Sequence, residues 1–413
     1  MMVQTLFYII IGILILEYLL DRFLDYKNQL HWSTELPEEL KGIYDEESYK
    51  KSQKYDKVNY RFGLWSSGFS LVVILIMIVG GGFALVDDYA RSFSENLMVI
   101  SLAFFGVLFF FNDIISIPFS IYHTFVIEKK FGFNKTTVKT FCVDKLKGYL
   151  LTIIIGGGLL SLFVLFYQWA GSNFWIYFWI VITAFLLFMF MFYTSLILPL
   201  FNKLTPLEDG ELRKAIEEYT NKVDFPLTNI MVIDGSKRST KANAFFSGIG
   251  SRKKIVLYDT LIKDHTSDEL VAVLAHEVGH YKKKHTSQGI IMSILQTGLM
   301  LFLLSWFIDV EALSQAMGAK EGSFYMGLLA FGILYSPIST IMELFMNLIS
   351  RKNEFEADEF AAKTFSGEYL VTALKKLSVN NLSNLNPHPL YVFFNYSHPP
   401  LLERLRAIKK YSS

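Results

Sequence analysis

Residues 174–200 read FWIYFWIVITAFLLFMFMFYTSLILPL, a run of 27 positions without a formal charge. A helix crossing lipid needs about 20 mostly apolar residues, and soluble folds rarely contain a run this long and this uniformly apolar. Six comparable stretches accompany it, near Leu6–Phe23, Phe62–Leu85, Leu97–Thr124, Tyr149–Trp169, Gly289–Ile308 and Phe324–Ile349. The first lacks a basic leader, carries Glu17 and has no small-residue cleavage site, so it reads as a retained span and not as a signal peptide. The fold class expected is an α-helical integral membrane protein with seven transmembrane helices.

Composition agrees. Of 413 residues, 52% are hydrophobic and 19% charged, against about 25% charged in an average soluble domain. Lys+Arg (39) almost balance Asp+Glu (38). That excludes a disordered, highly charged chain and gives no general attraction for nucleic acid. The single cysteine, Cys142, excludes an intrachain disulfide framework and a cysteine-rich metal cluster.

The connecting segments alternate in basic content. Lysines crowd Tyr26–Tyr60 and Phe125–Gly148, whereas Val86–Asn96 has only Arg91 and Asp309–Ser323 only Lys320. The positive-inside rule puts the basic segments in the cytosol, so seven crossings leave the N-terminus outside and the C-terminus inside. The membrane is the endoplasmic reticulum in a eukaryote or the inner membrane in a bacterium. Four regions follow: 1–200 with five crossings, a polar α+β region at 201–288, two more crossings at 289–349, and a polar helical region at 350–413. In the third quarter of the chain, Leu212–Thr220 has helical spacing, and Ile230–Ile233, Asn243–Ser247 and Lys254–Tyr258 have strand character. Gly248 and Gly250 serve the turn between the last two, and Thr266-Ser-Asp-Glu269 is a capping box opening a helix into Leu270–Lys284.

That helix carries His276-Glu277-Val278-Gly279-His280, an H-E-x-x-H pattern. Histidines at i and i+4 project from one face, so both imidazoles can converge on one metal ion. Glu277 sits about 100° around the helix, where it can reach a water on the metal without ligating it. Zinc suits imidazole nitrogen and lowers the pKa of its water towards about 7. A hydrolytic site needs a third protein ligand, and Glu354, just past the last apolar run, supplies it. Asn347, Arg351, Glu354 and Asp358 share one helical stripe. Asp358 is placed to accept a ring N–H from a ligand histidine, and Arg351 to orient the carboxylates. Glu356 points to the other side and is the weaker ligand. The last two crossings return to the same face, so Glu354 and His280 should meet at similar depth beside the membrane.

Ser397-His398-Pro399-Pro400 precedes a helix, expected to start at either proline, with Leu401, Leu402, Leu405 and Ile408 as its buried stripe. By itself His398 reads either as a donor to a developing oxyanion or as a histidine at a helix start. His265, His285 and His388 lack comparable partners and read as structural.

This ordered set resembles the type I CAAX prenyl endopeptidases, integral-membrane zinc metalloproteases that process isoprenylated proteins. The likeness includes Tyr122–Thr136 with Glu128, Gly132 and Asn134, then Lys237-Arg-Ser, Asn243-Ala244-Phe245, Ile255–Leu261, His276–His280, Arg351–Asp358 and Ser397–Arg404. It implies seven crossings around a large intramembrane chamber and one zinc ion per chain, held by His276, His280 and Glu354. Glu277 would be the base, with His398 and Arg404 as active-site helpers, and the strand at Asn243, Ala244 and Phe245 would pair with an extended substrate peptide. Substrates would be peptides or proteins, lipidated or membrane-associated, handled in the bilayer, with no nucleic acid partner. Lys241 departs from the histidine expected there, and Phe245 replaces a commoner tyrosine. Two alternatives compete: a membrane-protein quality-control zinc protease without a prenyl requirement, and a transporter or scaffold with a vestigial metal site. Gly80–Gly82 and Gly156–Gly158 are the helix breaks that the transporter reading would use.

Overall fold

The computed structural model describes residues 1–413 except 33–34, 37–40, 43, 226–228, 249–252 and 412–413; Gly250 of the expected turn lies outside the described residues. The membrane part begins with α1 (Met2–Gln29), α2 (Glu46–Val79), the short α3 (Gly82–Arg91) and α4 (Leu97–Tyr122), which a π-turn extends to Phe131. Then come α5 (Val138–Leu151), α6 (Gly157–Ala170) and α7 (Phe174–Leu196). Residues Val138–Phe201 form one nearly continuous helical span of 64 residues, about 96 Å if straight, far longer than any bilayer. Gly171, at φ 54°, folds it back, and the Phe163 ring meets the Phe178 ring at 4.7 Å across the hairpin. The stretch therefore makes two crossings, and the described residues make seven.

Of the two glycine clusters read as helix breaks, Gly80–Gly82 is one and Gly156–Gly158 is not. Helix α2 stops at Val79 and not at Leu85, because Gly81 turns left-handed at φ 71°. The run at Gly156–Gly158 is no break, since a π-turn at Thr152–Gly156 carries α5 straight into α6. The bundle core holds Phe104, Phe163, Phe174 and Tyr325. Ile76, Ile154, Ile180 and Phe345 are each more than half exposed. In water such a surface would aggregate; facing lipid tails, it is the expected exterior.

The polar part is built on strands β1 (Leu204–Pro206), β2 (Asn229–Ile233), β3 (Ala244–Ser247) and β4 (Lys254–Tyr258), in the order β1-β2-β4-β3. Strands β2 and β4 are parallel and the outer pairs antiparallel, which leaves β3 as an edge. Strand β1 has three residues and no alternation, so periodicity could not announce it.

Helices α8 (Glu211–Lys222) and α9 (Ser267–Lys282) cover this sheet. The capping box at the start of α9 is present: the Thr266 hydroxyl accepts from the Glu269 N–H at 3.3 Å, and the Glu269 carboxylate from the Thr266 N–H at 2.8 Å. Leu270, Val271, Leu274 and Val278 of α9 are essentially inaccessible. Each contributes roughly 1.5–3 kcal/mol by burial, so α9 is the core of its domain and a rigid base for the residues it carries. It ends at Lys282, short of the expected Lys284. Lys284 is left-handed (φ 63°), and α10 (His285–Phe307) starts immediately after it.

Helix α11 (Phe324–Ala361) has 38 residues, about 57 Å. It crosses the membrane and projects beyond it to lie along α9. Helices α12 (Gly367–Asn380), α13 (Pro389–Asn395) and α14 (Leu401–Tyr411) close the domain. Helix α14 starts after the two prolines and not at them, and buries Arg404, Leu405 and Ile408.

Candidate active site

One turn of α9 sets His276 and His280 side by side with their Nε2 atoms 3.1 Å apart. Helix α11 brings Glu354 against them, with Oε2 3.5 Å from His276 Nε2 and Oε1 3.3 Å from His280 Nε2. One donor atom from each of the three residues lies within 4.8 Å of the others. Tetrahedral ligands of a zinc ion at about 2.0–2.1 Å stand roughly 3.3 Å apart, so the spacing fits. Glu354 is 4% exposed, and its Oε2 accepts no hydrogen bond although Arg404 and His276 lie close by. A buried carboxylate with one oxygen left without a hydrogen bond, and with its two oxygens each beside an imidazole nitrogen, suits a divalent cation.

The outer nitrogen of His276 is also held. Its Nδ1 lies 2.9 Å from Asp358 Oδ1, and Asp358 is wholly buried. Arg404 grips that carboxylate through two hydrogen bonds, Nε to Oδ2 at 2.8 Å and Nη2 to Oδ1 at 2.6 Å, with Nη1 3.4 Å from Glu354 Oε2. Burial opposes the charge on Arg404, but the Asp358 and Glu354 carboxylates outweigh it and raise its pKa. All three guanidinium nitrogens are thus committed to carboxylates. Arg404 also lines the cleft, on the side of Glu354.

Glu277 lines the cleft beside the ligands. Burial lifts its carboxyl above the ordinary range against the pull of His276 and His280. His398 enters from the opposite wall, with Nε2 3.4 Å from Glu354 Oε1 and Nδ1 3.0 Å from the Ser397 hydroxyl, and its side chain is 64% exposed. The cleft is about 610 Å³ in volume, with Asn243, Ala244 and Phe245 along one side and Met292, Met346 and Ile349 at its membrane end.

Three expectations need correction. Arg351 does not orient the carboxylates: its Nη1 donates to the Val392 and Tyr396 carbonyls, the former at 3.1 Å. Asn347 likewise stays away from the metal ligands and donates to the Phe394 carbonyl at 2.9 Å. Both residues anchor the chain that leads into His398. His285, read as structural, packs against the site, with Nδ1 3.2 Å from His280 Nδ1 and Nε2 3.2 Å from Glu356. Only the left-handed Lys284 turns it there, and nothing in the periodicity signals such a bend. Lys241 is tied away by an ion pair to Glu128 at 3.1 Å and lies over the Phe133 ring at 4.4 Å. It joins the membrane bundle to the segment entering β3.

Residues 26–203 match the family described as CAAX prenyl protease N-terminal, five membrane helices, and residues 206–412 match peptidase family M48. The chain is 35% identical to CAAX prenyl protease 1 of Saccharomyces cerevisiae over 97% of this chain and 94% of that one. It is 37% identical to a CAAX prenyl protease 1 homolog of Arabidopsis thaliana, over 97% and 96%. The crystal structure of S. mikatae Ste24p superposes with a TM-score of 0.93 at 35% identity, covering 98% of this chain and 99% of that one.

Proposed function

The chain belongs to the CAAX prenyl proteases of peptidase family M48, and from that premise we propose that it cuts prenylated or similarly lipid-anchored substrates near their C-termini, using one zinc ion held by His276, His280 and Glu354. It is an integral membrane metalloendopeptidase. The observation that carries the site assignment is the convergence of those three donors within 4.8 Å, from two helices that meet just outside the bundle.

A zinc ion bound there supplies a Lewis acid that polarises the scissile carbonyl and acidifies water. The remaining work falls to side chains. The Glu277 carboxylate takes a proton from the attacking water and passes it to the leaving amine nitrogen. His398, on the facing wall, donates from Nε2–H to the carbonyl oxygen as it gains charge. Asp358 holds the proton on His276 Nδ1, and Arg404 keeps Asp358 ionised. An extended peptide adds to the free edge of β3, where the backbone at Asn243–Phe245 fixes its register. The apolar end of the cleft at Met292, Met346 and Ile349 suits the lipid-bearing part of the substrate. The excess of lysine in the segments on this side supports a cytosolic orientation for this half of the protein, in the endoplasmic reticulum membrane if the host is a eukaryote.

The test uses purified protein with farnesylated and plain versions of one peptide, with and without a chelator. Cleavage of the farnesylated peptide, lost on chelation and restored by zinc, is expected. Equal cleavage of the plain peptide would remove the prenyl requirement, and no cleavage by zinc-loaded protein would remove the peptidase reading.

A further inference from the structure

The two ligand histidines are held from behind in different ways. His276 meets a fully buried carboxylate. His280 meets another histidine: its Nδ1 lies 3.2 Å from His285 Nδ1, with the two ring centroids 5.2 Å apart. His285 in turn presents Nε2 to the Glu356 carboxylate at 3.2 Å, and Lys352 Nζ lies 3.7 Å from Glu356. We infer that His285 and Glu356 form a positioning chain for the metal site, which fixes the ring and tautomer of His280 so that its Nε2 lone pair faces the ion. The inference rests on the reading of His276, His280 and Glu354 as ligands.

The assignment follows from counting hydrogens. A neutral imidazole has one N–H and one lone pair. If His280 gives its Nε2 lone pair to a metal, its hydrogen sits on Nδ1 and needs an acceptor. The nearby atom is His285 Nδ1, which accepts only if the hydrogen of His285 is on Nε2. That hydrogen then points at Glu356, which accepts it as a carboxylate. The chain reads consistently from the metal outwards and ends on a negative charge, as the orienting partners of metal-bound histidines generally do.

The local fold supports a dedicated placement. On an uninterrupted helix, a residue five positions after His280 would lie about 140° away from it around the axis. The left-handed Lys284 breaks α9 from α10 and swings His285 back beside His280. A non-glycine residue in that conformation costs about 1 kcal/mol, a cost the fold carries at this one step between the two helices. His285 is 8% exposed, so the contact is shielded from competing water. Glu356, two residues after Glu354, points off the ligand face of α11, and α10 runs past on that side to meet it.

The experiment measures zinc directly. Zinc-loaded wild type and variants are challenged with a chromogenic chelator, and both the release rate and the competitive affinity are read. H285A is expected to lose affinity by about 10–100-fold. H285Q, whose amide can accept from His280 and donate to Glu356, should recover most of that loss. E356L removes the terminal acceptor on a half-exposed residue, should fold normally, and should weaken zinc several-fold, with E356Q between it and wild type. Wild-type retention in H285A or E356L would overturn the inference, as would an H285Q variant no better than H285A. If wild type itself bound no zinc, the ligand assignment would fall as well; tight wild-type binding with unchanged variants removes the positioning chain alone.

Discussion

Gly279 lies directly on Ala357: a methyl group at Gly279 would sit 3.1 Å from the Ala357 Cα and 3.2 Å from its carbonyl oxygen. Gly279 stands inside the His276–His280 turn, and Ala357 between Glu354 and Asp358, so this contact sets the spacing of the two helices that share the candidate metal site. The obstruction is backbone, which no rotamer change relieves. Gly279→Ala gains about 1 kcal/mol in helix propensity but overpacks the contact by about 1–3 kcal/mol. We expect a lower thermal midpoint and, more tellingly, weakened zinc binding, because Glu354 and Asp358 are pushed off the histidines together. Undiminished zinc retention in this variant would show that the spacing has slack.

Arg404 is the counter-charge of a buried carboxylate. Arg404→Ala leaves the buried Asp358 with the His276 N–H but no counter-charge, and losing the charged partner of a buried carboxylate costs about 3–5 kcal/mol. Arg404→Lys keeps the charge but cannot reproduce the two-pronged grip, so its stability should fall between the two. Pairing Arg404→Met with Asp358→Asn should recover part of the loss in a denaturation series. A double variant no better than Arg404→Ala would mean that the lost stability came from packing and not from the stranded charge.

Glu277 is not among the three residues whose donor atoms converge. Glu277→Gln should therefore keep stoichiometric zinc by elemental analysis while turnover drops by about 10²–10⁴-fold. Near-wild-type turnover would take the role of base away from this residue.

The motif on α9 was legible because everything it needs is local: a cap, an apolar helix and two histidines one turn apart. Glu354 and Asp358 were legible from the stripe on α11. The same stripe misled at Asn347 and Arg351, because periodicity tells which residues share a face and not which neighbour meets each turn. Asn347 and Glu354 are about 10 Å apart along the axis. The lower turns of the stripe meet the chain around Phe394, and the upper turns meet the histidines. His285 was hidden by a single left-handed residue, and Arg404 showed its partners only once α14 was packed against α11.

From that correction comes a separable phenotype. Arg351 and Asn347 hold the backbone at 392–396, directly before His398. Arg351→Met and Asn347→Ala should loosen that segment and lower kcat by about tenfold, the scale of misplacing one oxyanion donor in part, with zinc content unchanged. Loss of zinc in parallel with activity would return both residues to the metal side.

The start of α9 gives a pH signature away from the metal. Burial pushes the Glu269 carboxyl up, but the Lys376 ammonium at 2.7 Å and the Thr266 N–H outweigh it and hold the pKa below the ordinary value of 4.5. A pKa lower in the folded than in the unfolded state stabilises the fold above the unfolded value, and that stability is lost as pH falls through the folded one. Glu269→Gln should thus be less stable than wild type at pH 7 by about 2 kcal/mol, the scale of a helix cap together with a charged hydrogen bond. The difference should shrink as the pH drops below about 4.5, because wild type then loses the same charge by protonation. Urea titrations of both proteins in detergent at pH 7 and at pH 4 or below measure it. A gap of constant size across that range would mean that the ionised carboxylate contributes nothing to holding α9 in place.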